Sequence, residues 1–213
     1  MKLYSYWRST AAYRVRIALN IKGLDYEYCP VHLVKNGGEQ FSQEYKSINP
    51  QMLIPSLITE NNEVITQSLA IVDYLEEYYP ENSLYPVNIA EKYLAKAIAL
   101  SIACDIHPLN NLRVLKYLKE QSFQQKQVDD WYAHWIHQGF SAIEKQIEQT
   151  AGTFCFGEIV SVADIFLVAQ VYNANRFNVP LDNFPNILRI NSNCLKLDDF
   201  IRATPENQPD CDI

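Results

Sequence analysis

The sequence pattern of this chain changes once, and that change limits its architecture more than any other feature. Up to Tyr79, short runs rich in β-formers alternate with helical periodicities; from Ile89 onward no convincing strand pattern appears. Between them, Pro80 to Asn88 holds two prolines and no periodicity, which marks a linker. The expected division is a mixed α/β domain over residues 1–80, a linker over 81–88 and an all-helical domain over 89–213. The length of 213 residues allows one large or two small domains, so two fit.

Within the first part, Lys2–Tyr6 reads as a strand, followed by a helix with Val15, Ala18 and Leu19 on one face. Asp25–Leu33 reads as a second strand. Gly37-Gly38 breaks the chain before a short helix, Glu39–Lys46, and is too short to be a phosphate fingerprint. Ser56–Thr59 and Val64–Thr66 form a strand pair around Glu60–Glu63, and Gln67–Tyr79 returns to helix. The order βαβ-ββα requires the first unit to be a parallel crossover. In the second part, Ile89–Leu118 reads as one long helix bent at Pro108, because an interior proline removes a hydrogen bond and clashes with the preceding turn. Gln127–Gln149 is a second helix. Ser161 to Asp164 opens a third as a capping box, Asp replacing the usual Glu, and Pro185 opens a fourth.

Composition excludes several functions. The 18 Lys and Arg against 25 Asp and Glu give a net charge of −7, and no basic run interrupts it, so a nucleic-acid footprint is not expected. No run approaches the ~18 apolar residues of a membrane span, and the first residues lack a signal-peptide core. The cysteines at 29, 104, 155, 194 and 211 are odd in number with no CxxC or zinc-like spacing, so they read as reduced thiols of a cytoplasmic protein. Cys104 and Cys155 are expected in the core. His134 and His137 lack a third ligand in pattern, so no metal is expected, and Tyr74, Tyr78 and Tyr79 read as packing residues at the domain junction.

The most informative segment runs from Ser5 to Leu19. Arg8, Ser9 and Thr10 lie where a strand hands over to a helix, whose start offers unpaired N–H groups and a positive dipole end. A hydroxyl there caps the helix, the commoner role, or donates to an anion such as a thiolate; the two are compatible. In Asn49 to Leu57, a cis Ile54–Pro55 bond would leave the Ile54 backbone free to pair with a peptide, though the sequence leaves the isomer open. Gln67-Ser68, at a helix start, is a cap or a carboxylate site.

These residues carry a resemblance. Tyr6-Trp-Arg-Ser-Thr with Arg14-Val-Arg-Ile-Ala-Leu, Lys35-Asn-Gly-Gly38, Asn49-Pro50, Gln67-Ser-Leu-Ala-Ile71, His107-Pro-Leu-Asn-Asn-Leu112 and Asn173-Ala-Asn-Arg-Phe177 occur in order along the chain. Together they resemble the glutathione transferase superfamily, and within it the zeta class, whose members include maleylacetoacetate isomerase. The resemblance implies a thioredoxin-like N-terminal domain, a C-terminal helical bundle and a homodimer. It implies that Ser9 steadies the glutathione thiolate and that Thr10 and Ala11 line the same turn. It further implies that Gln67 and Ser68 hold the γ-glutamyl end, that Ile54 pairs with the cysteinyl backbone, and that Gln40 lies near the glycyl end. His107, Asn111 and Arg113 would face the cleft from the helical domain. One departure matters: the family often reads Ser-Ser-Cys where this chain reads Ser9-Thr10-Ala11, so bound glutathione must supply the only thiolate at that turn.

The activity implied is cis–trans isomerisation of maleylacetoacetate in tyrosine and phenylalanine breakdown. Reversible addition of the thiolate makes the C=C bond single, rotation follows, and elimination returns glutathione unchanged. The substrate is a dicarboxylate, for which Arg8, Arg113 and Arg176 supply candidate guanidinium forks; Arg8 and Arg176 resemble the arginine clamp of maleylpyruvate isomerase. Alternatives are maleylpyruvate isomerisation, a general transferase acting on small α-halo acids, and a non-catalytic binding module. Retention of Ser9, Gln67, Ser68 and the arginines argues against the last.

Overall fold

The computed structural model describes residues 1–212. These divide into two compact units, residues 1–83 with 196–212, and residues 84–195. In the first, β1 (Lys2–Ser5), β2 (Glu27–Pro30), β3 (Ser56–Ile58) and β4 (Val64–Thr66) form one sheet in the order β2-β1-β3-β4. β1 and β2 are parallel, so the α1 helix (Thr10–Ile21) between them is the expected crossover, while β3 and β4 run antiparallel to their neighbours. The sheet and the helices α1 and α3 (Ser68–Tyr78) share an apolar core in which Leu3, Val15, Ala18, Leu19, Leu57, Ile71, Val72 and Leu75 are fully buried. The short helix expected over Glu39–Lys46 is a 3₁₀ turn, Glu39–Phe41, followed by α2 (Gln43–Ile48), which Ser42 caps.

The second unit is helical: α4 (Ile89–Leu100), α5 (Leu112–Glu120), α6 (Gln125–Ile147), α7 (Val162–Arg176) and α8 (Pro185–Cys194). The α7 helix is buried almost all round, as expected for the central helix of a bundle. Its start is the expected capping box. Asp164, fully buried, accepts from the N–H and hydroxyl of Ser161 at 2.8 and 2.7 Å and from the Cys155 N–H at 2.8 Å. Those donors pull its pKa down, but burial outweighs them and leaves it raised.

Three expectations are corrected. The stretch 89–118 is not one helix bent at Pro108: α geometry already gives way at Ser101, where a π-helical turn (Ser101–Ile106) and a 3₁₀ turn (His107–Asn110) precede α5, capped by Asn111. Pro108 sits at the start of the 3₁₀ turn, where its missing N–H costs nothing. Cys104, on that irregular stretch, is exposed, whereas Cys155 is fully buried. Finally, residues 196–212 do not join the helical unit; α9 (Asp198–Ala203) packs on α1, where Phe200 and Ala203 enter the core and Asn20 donates to the Asp199 carbonyl at 2.8 Å. Tyr74 and Tyr78 stack on each other with ring centroids 5.3 Å apart, and Tyr78 remains 58% exposed.

Candidate active site

Strand register brings the candidate residues of the first unit to one end of the sheet. Ser5 at the end of β1 pairs with Pro30 at the end of β2, Tyr4 with Ser56 at the start of β3, and Ser56 with Thr66 at the end of β4. The turn carrying Arg8 and Ser9, the loop ending at Ile54-Pro55 and the Gln67-Ser68 helix start therefore leave or enter the sheet at the same end of its strands.

Ser9 is half-buried and caps α1, its Oγ accepting from the Ala12 N–H at 3.2 Å. A hydroxyl has one proton and two lone pairs, so this bond leaves the O–H proton to donate. The cap therefore leaves this side chain able to donate to an anion as well. Thr10 is buried and Ala11 half-buried in the first turn. The Arg8 guanidinium lies over the Trp7 ring at 4.9 Å and donates to the Tyr6 hydroxyl at 3.3 Å.

Around the edge, the Ile54–Pro55 bond is cis, and the preceding Leu53 carbonyl accepts from the Tyr45 hydroxyl and the Asn49 amide, each at 2.7 Å. Both donors also reach Ser56 Oγ, at 2.8 and 3.2 Å, so Ile54 lies between two fixed points. Gln67 holds φ at 70°, a left-handed backbone that costs a non-glycine residue ~1–3 kcal/mol, while its carbonyl accepts from the Ile71 N–H. Its side-chain amide donates to Gln51 at 3.1 Å. Ser68 Oγ accepts from the buried Arg14 guanidinium at 3.3 Å, which ties α3 to α1. Gln40 is buried against Gly38, where a Cβ would lie 2.7 Å from its Nε2, and its Oε1 has no protein partner.

His107, Asn111, Arg113 and Arg176 belong to the second unit. His107 is half-buried in the 3₁₀ turn, and Asn111 is engaged as the cap of α5, accepting from the Arg113 N–H at 3.1 Å. Arg113 and Arg176 are exposed, with Arg176 over the Phe177 ring at 4.7 Å and Phe177 stacked on Tyr132. His137 bonds the Pro180 carbonyl at 2.8 Å, and no group of His, Cys, Asp or Glu suited to a metal occurs among the described residues.

Arg14, Arg16, Tyr45 and Asp210 were not singled out in the sequence. Each supports the site through a partner distant in sequence or through the backbone, and only the Arg14-Val-Arg16 motif carried a trace of two of them.

Residues 3–83 match the glutathione S-transferase N-terminal domain family. The chain is 49% identical to a probable maleylacetoacetate isomerase of Vibrio cholerae over 98% of this chain and 97% of that one. Among solved structures, the holo form of a bacterial zeta-class maleyl pyruvate isomerase superposes with a TM-score of 0.94 at 42% identity, covering 99% of both chains. A maleylacetoacetate isomerase from Methylobacterium extorquens AM1, with malonate and GSH bound, superposes with a TM-score of 0.93 at 35% identity over all of both chains. The chain belongs to the zeta class of the glutathione transferase family, that of the maleylacetoacetate isomerases.

Proposed function

We propose that this protein is a glutathione-dependent cis–trans isomerase that converts maleylacetoacetate to fumarylacetoacetate in tyrosine and phenylalanine breakdown. One observation carries the reading: a capping serine whose hydroxyl proton is uncommitted, at the end of the sheet where Ile54 and Gln67-Ser68 also lie, in a chain 49% identical to a probable maleylacetoacetate isomerase.

The residues present fit glutathione. Ser9 offers an O–H to a thiolate, the start of α3 offers N–H groups to a carboxylate, and the buried Gln40 Oε1 requires a donor. Bound glutathione supplies the nucleophilic thiolate, a free thiol having a pKa of ~8.5 that must fall for attack at neutral pH. Ser9 lowers it by donating to the charged form, and Thr10 and Ala11 shape the turn. Gln67 and Ser68 hold the γ-glutamyl end, Ile54 the cysteinyl backbone and Gln40 the glycyl end. Arg8 and Arg176 clamp the substrate carboxylates and stabilise the charge that develops during isomerisation, with His107, Asn111 and Arg113 supplying further polar contacts.

No helix among the described residues is long and apolar enough to cross a membrane, and all five cysteines are free, which suits a reducing cytoplasm. The working form is a homodimer. Light scattering should return twice the chain mass, and a mass of one chain would overturn the dimer.

Purified protein mixed with maleylacetoacetate should yield the trans product with glutathione unconsumed. Stoichiometric loss of glutathione would replace the isomerase by a transferase. Because the maleyl pyruvate isomerase superposes so closely, maleylpyruvate is the second substrate to assay, and the larger kcat/KM identifies the preferred diacid. Arg176→Ala should impair both diacids by about tenfold or more while sparing neutral electrophiles, since a charged hydrogen bond is worth ~1.5–3 kcal/mol. Equal losses on both kinds of substrate would remove Arg176 from the clamp.

A further inference from the structure

The turn that presents Arg8 and Ser9 lies beyond the last ladder pair of β1, Ser5↔Pro30, so the sheet does not fix it. Two charged side chains do. From α1, the fully buried Arg16 donates to Ser5 Oγ at 3.2 Å, the Tyr6 carbonyl at 3.3 Å and the Trp7 carbonyl at 3.0 Å. From the opposite end of the sequence, Asp210 accepts the Trp7 N–H at 3.0 Å through one oxygen and the Tyr28 hydroxyl at 2.6 Å through the other. Trp7 is thus held at its carbonyl by a cation and at its amide by an anion.

Asp210 is itself anchored. Arg16 Nε donates to the Ala203 carbonyl at 3.1 Å, and Asp212 meets Lys35 at 2.9 Å and His32 at 3.1 Å. Tyr28 on β2, paired in register with Leu3 of β1, ties the carboxylate to the sheet as well. Trp7 is 1% exposed and carries the Arg8 cation on its ring, and the Ser9 N–H closes back on the Tyr6 carbonyl at 2.9 Å. A shift of the Trp7 amide therefore moves Arg8 and Ser9 with it.

We propose that Asp210 is a positioning residue of the glutathione site, holding the Trp7 amide so that Ser9 and Arg8 are presented in their working geometry. This rests on the assignment of Ser9 to the thiolate. Arg16 holds the carbonyls of the turn from inside the first unit, and Asp210 closes the same turn from the α9 side.

The test titrates bound glutathione by the ultraviolet absorbance of its thiolate, alongside kcat and KM, in the wild type, Asp210→Ala, Asp210→Asn and Ser9→Ala. Asp210→Ala should raise the apparent pKa of the bound thiol by about one unit, a tenfold change in thiolate affinity for its proton, and lower kcat about tenfold. Its KM for glutathione should change less than about twofold, because the Gln40, Ile54 and Gln67-Ser68 contacts remain. Asp210→Asn should recover most of the loss, since its amide oxygen still accepts from Trp7 N–H. It also guards against simple unfolding of the alanine variant. A wild-type titration and kcat in Asp210→Ala, whatever its melting temperature, would overturn the inference, leaving the contact merely structural. Equal losses in both variants would also overturn it, since charge and not the held amide would then be responsible. An unmoved titration in Ser9→Ala would remove Ser9 from the thiolate and the inference with it; a shift there without one in Asp210→Ala would remove Asp210 alone.

Discussion

Ser9 caps α1 and, in the proposed mechanism, also donates to the glutathione thiolate, two duties that a single substitution confounds. The cap is worth ~1 kcal/mol to α1, and the proposed O–H donation to a charged sulfur would be worth ~1.5–3 kcal/mol, roughly tenfold to hundredfold in rate. Glycine separates them, because it is tolerated at the cap position at a cost of only a few tenths of a kcal/mol, yet has no hydroxyl. Ser9→Ala and Ser9→Gly should therefore lose kcat alike, while only Ser9→Ala loses appreciable stability to urea. Parallel losses of rate and stability would make Ser9 a cap alone. The places of Ser9, Gln67 and Ser68 at helix starts were legible in the sequence because such starts are local signals, readable within a few residues. Arg14 and Arg16 were not: each reads as an ordinary charged residue until its acceptors are known, on Ser68 54 positions away and on Ala203 187 positions away. A buried cation is legible only once the fold supplies its partners.

At the scale of elements, the α/β half was the more readable because strand alternation and turn residues mark its boundaries. The helical half misled at Pro108, since proline is the obvious breaker and the actual break has another origin. The π-helical turn at Ser101–Ile106 brings Ile106 onto α6 so closely that a Cβ on Gly139 would lie 2.3 Å from Ile106 Cδ1. Nothing within residues 89–118 announces that contact, whose permissive residue is a glycine on another helix. Gly139→Ala should cost ~1–3 kcal/mol of stability by overpacking, although alanine is the better helix former, and urea unfolding measures it. Ile106→Ala in the same chain should return part of that loss by making room. If Gly139→Ala stabilises the protein, the helix can move outward and the close approach is not a constraint.

At the scale of the molecule, the chain's two compact units are not two consecutive segments, because residues 196–212 return to the first. Composition cannot reveal such a return: α9 is short, and its counterpart surface on α1 looks in sequence like any other core face. The return ends on an ionic contact whose pH response follows from its geometry. His32 Nδ1 accepts the N–H groups of Val34 and Lys35 at 3.1 and 2.8 Å, which places the proton of the neutral ring on Nε2, facing Asp212. Lys35 first, then His32, hold the Asp212 carboxyl below its ordinary value of 3.8. A carboxyl whose folded pKa is depressed contributes stability above its unfolded value and loses it as pH falls through the folded one. Asp212 and Lys35 are exposed, so the contribution is small and screened by salt. Asp212→Asn should therefore melt slightly below the wild type at neutral pH and low salt, with the gap closing in molar salt and again as pH falls through the acid range below 3.8. A gap that persists in strong acid would mean that Asp212 holds the segment by shape or neutral hydrogen bonds, not by its charge.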